Sequence, residues 1–174
     1  MDVYFDDFYG KYSLRQQYVE MFALAALGFL LPFTVGHPQI LVGVLVNAFI
    51  IRAALTLPEH KALLVVFTPV LGALARGLLF GPFTLFLVYM VPFIWAGNYI
   101  LMKAFRVRGN YFLRLGVGSV AKTGLLFGSA YALYSTGLLP ALMLSAMGVM
   151  QLTTAIAGGI LAYGELKAER HLIG

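Results

Sequence analysis

The sequence predicts an all-α integral membrane protein, a bundle of six transmembrane helices with both termini in the cytoplasm. Three observations lead there. Of its residues 61% are hydrophobic and 11% charged, whereas soluble domains carry roughly 25% charged residues. The mean hydropathy is +0.88. The third is the placing of Lys and Arg, which gather in alternate gaps between hydrophobic runs, as the positive-inside rule puts them. No polar stretch is long enough for a second domain, so residues 1–174 read as one membrane domain.

A bilayer core needs about 20 apolar residues per crossing, and the pattern predicts helices near 18–35, 38–57, 62–81, 82–104, 112–135 and 139–163. The first has a short wholly apolar part, 21–32, with Glu20 at its start. The Tyr-rich residues ahead of it read as an aromatic anchor at the interface, not as a cleavable signal peptide. The second carries Asn47 at mid-length and Arg52 in its last turns, where a guanidinium can snorkel to headgroups. The third contains Pro69, Arg76 and the small-residue pattern GLLFG (77–81), and the fourth contains Pro92, Trp95, Asn98 and Tyr99. The fifth holds Lys122 and a second GLLFG (124–128), the sixth Gln151, Ala155 and Gly159. Small residues at that spacing let helix backbones approach in lipid, so both patterns predict helix contacts.

Orientation follows from the connections. Lys11 and Arg15 precede the first helix, Lys61 lies between the second and third, and Lys103, Arg106, Arg108 and Arg114 flank the gap after the fourth. Lys167 and Arg170 follow the sixth, whereas 36–38, 81–82 and 136–140 hold no Lys or Arg. The expected location is the cell membrane, crossed several times.

Several function classes drop out. With no cysteine, disulfides, thiolate catalysis and iron–sulfur chemistry are impossible. The net charge of +5 is spread between hydrophobic segments rather than along one solvated face, which argues against nucleic acid. There is no GxxxxGK[ST] loop, no metal-spaced His and carboxylate set, and no Ser–His–Asp set within one leaflet. The expectation is therefore a protein that is not an enzyme and needs no cofactor.

The candidate residues are polar groups inside apolar runs. Trp95, Asn98 and Tyr99 share one face of the fourth helix, with Tyr89 nearer its outer end. Amphipathic aromatics beside an amide suit a ligand cavity, though an amide can also bond a neighbouring helix. Arg76 lies about a turn and a half from the outer surface, where burial costs roughly 2.5 kcal/mol or more unless the charge is paired. It can bond carbonyls freed near Pro69, snorkel outward, or meet an anionic ligand group. Lys122 lies about a third of the way across on the face of Ser119 and Ser129, and Gln151 is mid-helix in the sixth. His37, in the first outer connection, is placed to cover a pocket. No Asp or Glu falls inside the predicted helix cores, which disfavours an autonomous proton antiporter.

Six helices in so short a chain, together with GVLVNAFI (43–50), TPVLGALARGLL (68–79), VPFIWAGNYILMKAF (91–105), YFLRLGVGSVAKTGLLFGSAYAL (111–133) and MQLTTAIAGGILAYG (150–164), resemble the substrate-binding S components of energy-coupling factor (ECF) transporters. The resemblance rests on spacing and small-residue texture. It implies a subunit that binds a vitamin or other micronutrient near the outer face, under the loop between helices one and two. It further implies a transmembrane coupling protein as partner and, through it, two cytoplasmic ATPases. The run ALAALG (23–28) is similar to the small-residue surface by which that family docks its coupling protein, without a strict AxxxA register. The metal-binding N-terminal histidine of the cobalt and nickel branch is missing, so the implied substrate is a small organic solute, anionic if Arg76 or Lys122 contacts it. Trp95 would stack on a ring, and Asn98 would donate and accept. The alternative is a non-transporting membrane subunit or assembly factor whose small-residue faces bind partner helices, which would need no ligand-sized cavity.

Overall fold

In the computed structural model, residues 12–35, 37–80 and 85–173 are described. The aromatic anchor expected before residue 12, the turn at 81–82 and Gly36 lie outside them. Among the described residues the architecture is all-α: six long helices and one short one. These are α1 (Leu14–Leu30), α2 (Gln39–Thr56), α3 (Glu59–Phe80), α4 (Leu85–Arg106), α5 (Tyr111–Ser135), the short α6 (Leu142–Met147) and α7 (Val149–Ile173). Among the described residues four helical stretches are long and apolar enough to cross a membrane: Leu14–Val35, Gln39–Thr56, Phe86–Arg106 and Leu142–Glu169. That composition marks a multi-pass membrane protein. The α5 helix, with Arg114, Ser119, Lys122 and Thr123, is more polar.

Local chemistry sets the helix ends. Ser13 caps α1 reciprocally: its Oγ accepts from Gln16 N at 3.3 Å, while Gln16 Oε1 accepts from Ser13 N at 2.8 Å. After Leu30 the helix widens into a π-turn, Leu31–Val35, which contains Pro32. Asn110 Oδ1 caps α5 by accepting from Phe112 N and Leu113 N at 2.9 and 3.2 Å.

The sequence-based helix 139–163 is divided and lengthened. Gly148, at φ −100° and ψ −104°, breaks it into α6 and α7. A side chain there would meet Phe127, whose Cδ2 is 3.0 Å from where a Cβ would sit. Beyond 163 the chain stays helical because Glu165, Lys167 and Glu169 are good helix formers. The apolar span ends there; the helix does not.

Glycine is used where α7 meets α2 and α5, and where α3 meets α1. A Cβ on Gly158 would lie 2.5 Å from Val44 O, and one on Gly159 would collide with Leu115. Gly72 leaves no room for a Cβ against Phe29 O. The contact expected from GLLFG in α5 is absent: Gly124 and Gly128 are exposed, with nothing within 4 Å of a Cβ. Those glycines face outward because Lys122 and Leu126, on the opposite face of the helix, are the buried residues of that stretch.

The bundle has two unlike ends. At the terminal end, near Ser13, Leu57 and α7's last turns, a continuous core of Ile50, Ile51, Leu55, Leu101, Phe105, Tyr111 and Leu166 fills the interior. A smaller cluster of Met90, Leu126, Ala130, Leu139 and Met147 packs α4, α5 and α6 toward the far end, that of His37. Between them the helices enclose a cavity.

Arg52 does not snorkel into headgroups. It is paired three ways, with Glu20 (2.6 Å), Glu165 (2.7 Å) and Glu169 (2.8 Å), joining α1, α2 and α7. Thr56 Oγ1 also donates to Glu20 at 3.0 Å, and the Tyr12 hydroxyl donates to Glu169. Burial, reinforced by that bond, pushes the Tyr12 hydroxyl well above the ordinary tyrosine range. Arg52 reaches Glu20 directly from α2, and α7 extends far enough to add Glu165 and Glu169 to the network.

Candidate functional site

The cavity has a volume of about 510 Å³, within the roughly 300–1,000 Å³ range of small-molecule sites. Every helix except α1 contributes, and α1 supplies Pro32 from its π-turn. The walls are apolar: Val42, Val46, Val70, Ile94, Met143 and Met150 are among them. The mouth lies at the far end, where His37, Gln39 and Leu142 are exposed. From Gln39 at the mouth to Asn47 is a little over two helical turns, about 12 Å of depth.

The floor is polar. Lys122 and Asn47 are each 2% exposed and Asn98 3%. Lys122 Nζ donates to Asn47 Oδ1 at 2.6 Å. The amide's orientation is fixed from its other side, since Asn47 Nδ2 donates to Gly43 O at 2.8 Å and to Thr154 Oγ1 at 3.3 Å. Thr154 in turn donates to Met150 O at 2.8 Å. This network depends on the close approach of α2 and α7: a Cβ on Gly43 would sit 2.9 Å from Thr154 Cγ2.

An ammonium has three donor positions. Among the described residues the hydrogen-bond partner of Lys122 Nζ is Asn47 Oδ1, a neutral oxygen. None of the described residues lining the cavity is Asp or Glu. A charged side chain at the centre of a hydrocarbon-embedded helix costs roughly 2.5–3.5 kcal/mol even with partial solvation. The floor therefore carries a desolvated amine and, among the described residues, no carboxylate to pair with it.

Of the residues singled out from the sequence, His37, Arg76, Asn98, Lys122 and Gln151 all line this one cavity. Three do not. Tyr89 is 49% exposed on the outside of α4. Trp95 Nε1 donates to Phe67 O at 3.1 Å, and its ring packs edge-on against Phe67. Tyr99 donates to Glu59 Oε1 at 3.1 Å, near the terminal end. The expected aromatic wall is thus a seam between α3 and α4. Pro69 explains it: a proline inside α3 removes one ladder bond and bends the helix, presenting nearby carbonyls sideways. Trp95 takes Phe67 O, and Asn98 Nδ2 takes Val66 O at 3.2 Å. Asn98 belongs to both seam and cavity.

Arg76 follows the carbonyl-binding course, on a different helix from the one expected. Its Nη1 donates to Phe33 O at 3.1 Å and Thr34 O at 2.8 Å, at the C-terminal end of α1. Carbonyls there lack helical partners and form the negative end of the helix dipole. Arg76 thereby fixes the π-turn against α3 while bordering the mouth. The sequence marked Asn47 as a polar residue at mid-length of its helix and did not place it, or Thr154, at the site. The available signal was Asn47 in the same apolar stretch depth as Lys122, but pairing them requires knowing that α2 and α5 converge.

Comparison with protein-family models, curated proteins and solved structures finds no match. The resemblance to S components therefore rests on the sequence features that suggested it.

Proposed function

We propose that this protein is a membrane-embedded solute-binding subunit, built on the plan of an ECF-type S component, that captures a small organic micronutrient for uptake. The carrying observation is the cavity of about 510 Å³, open at one end, apolar along its walls and polar at its floor. In this reading all six long helices cross the bilayer, α3 and α5 included, and both termini lie in the cytoplasm. Support comes from Lys61, Lys103, Arg106, Arg108, Arg114 and Lys167, which flank the connections at the terminal end, against none in 36–38 or 136–140. The mouth then opens outward beneath the His37 connection. A coupling protein and its two ATPases would bind from the membrane and the cytoplasm; the exposed side of α1, with Ala23, Ala26 and Leu27, is compatible with docking.

The alternative, an assembly factor that binds only partner helices, has no use for a cavity with a polar floor. The test is native mass spectrometry of purified protein together with thermal unfolding against candidate solutes. A retained small molecule, or stabilisation that disappears when the cavity is filled by Ala73→Trp, supports the reading. Stabilisation unaffected by Ala73→Trp would place binding elsewhere.

A further inference from the structure

We propose that the bound solute is an amphipathic carboxylate, seated head-down with its carboxylate on Lys122 at the cavity floor. This deepens the solute-binding reading and rests on it. The floor offers one amine, already oriented: Asn47 Oδ1 holds Lys122 Nζ at 2.6 Å, and once an entering carboxylate supplies the counter-charge the ammonium has two further donor positions for it. Lys122 borders the cavity although only 2% of it is exposed, so water reaches it poorly. No acidic side chain among the described lining residues competes for it.

Charge balance selects the head group. One ammonium neutralises one negative charge, and a carboxylate brings one. A phosphate monoester brings about −1.5 to −2, leaving uncompensated charge where the dielectric is low and the walls are Val, Ile and Met. A neutral amide would leave the ammonium without a counter-ion. The body is specified by the walls: Val42, Val46, Val70, Ile94 and Met150 offer apolar contact between floor and mouth. The depth of about 12 Å admits a body of several methylenes or a ring. Gln39 and His37 at the mouth accept a polar tail.

The experiment uses full-length protein in detergent or nanodiscs. The probes are aryl-alkyl carboxylates of graded chain length, each with its matched primary amide and phosphate monoester. Binding is read by thermal shift and by native mass spectrometry. The expected result is a carboxylate preference of about tenfold or more over both analogues. Lys122→Met abolishes the preference while the ligand-free protein melts no lower than wild type, because a desolvated amine has been removed. Asn47→Asp retains the lysine, supplies an internal counter-ion, and also abolishes it. Equal binding of carboxylate and amide, a preference for phosphate, or an unchanged preference in Lys122→Met overturns the head-group assignment while leaving a solute-binding cavity in place. If no probe binds and no small molecule is retained, the solute-binding reading falls, and the head group with it.

Discussion

Asn47 holds its place through both ends of its amide, and that makes it the most informative single residue in the cavity. Its nitrogen serves Gly43 O and Thr154 Oγ1, so its oxygen must face Lys122. Asn47→Leu keeps the size, removes the acceptor, and leaves a buried ammonium with no partner. The expected cost is about 1–3 kcal/mol, measured as a lowered unfolding temperature; adding Lys122→Met should recover most of it. A double mutant no more stable than Asn47→Leu would show that the two residues are not coupled. Trp95→Phe makes a contrasting case. It loses the bond to Phe67 O, so it should lower stability by about 0.5–1.5 kcal/mol and leave solute binding intact, since Trp95 does not line the cavity. What was legible in the sequence follows the same division. A cation within an apolar run, as at Arg76 or Lys122, advertises itself because burial is costly wherever it points. An aromatic stripe does not, because Trp95, Asn98 and Tyr99 do share a face, but which neighbour that face meets depends on Pro69 in another helix.

Helix elements carry their own constraints, and glycine spacing alone did not locate them. Gly158 and Gly124 lie in similarly apolar stretches, yet only Gly158 faces another backbone. Gly158→Ala must push α7 off α2, whose Val44 O and Asn47 Cβ lie 2.5 and 2.8 Å from the added carbon. Overpacking of this kind costs about 1–3 kcal/mol and should weaken solute binding too, since Asn47 moves with α2. Gly124→Ala meets nothing and should be neutral, or stabilising by up to about 1 kcal/mol through helix propensity. Comparing thermal unfolding of the two variants separates packing from propensity. At the terminal end, α1, α2 and α7 are joined by Arg52, with Glu20, Glu165 and Glu169 around it. Arg52→Ala strands Glu20, which is largely buried, and should cost about 3–5 kcal/mol; Arg52→Met combined with Glu20→Leu should recover much of that. Neither this joint nor the break at Gly148 was readable from hydrophobic periodicity. One needs α7 to continue past its apolar span, and the other needs Phe127 beside it.

For the whole molecule, the opposed ends make the proposed orientation testable with this chain's own composition. The chain contains no cysteine, so one introduced thiol is the sole target of a membrane-impermeant maleimide. His37 is exposed at the mouth, and Val107, 64% exposed, lies in the connection after α4. Neither side chain makes a hydrogen bond on which the bundle depends, so both substitutions should preserve the fold. In intact cells His37→Cys should label from outside, and Val107→Cys only after permeabilisation. Bound carboxylate should also slow labelling of His37→Cys, because the thiol stands at the rim of the cavity through which the solute enters, whereas labelling of Val107→Cys should not change. The reverse sidedness would put the cavity mouth in the cytoplasm. A cavity facing that way, with its Lys122 floor toward the outside, could not capture solute from the medium without first reorienting, and uptake by the proposed route would be excluded. Labelling of both positions from the same side would instead break the alternation of spans, since His37 and Val107 are separated by α2, α3 and α4. An odd number of crossings between them is what the six-span arrangement requires.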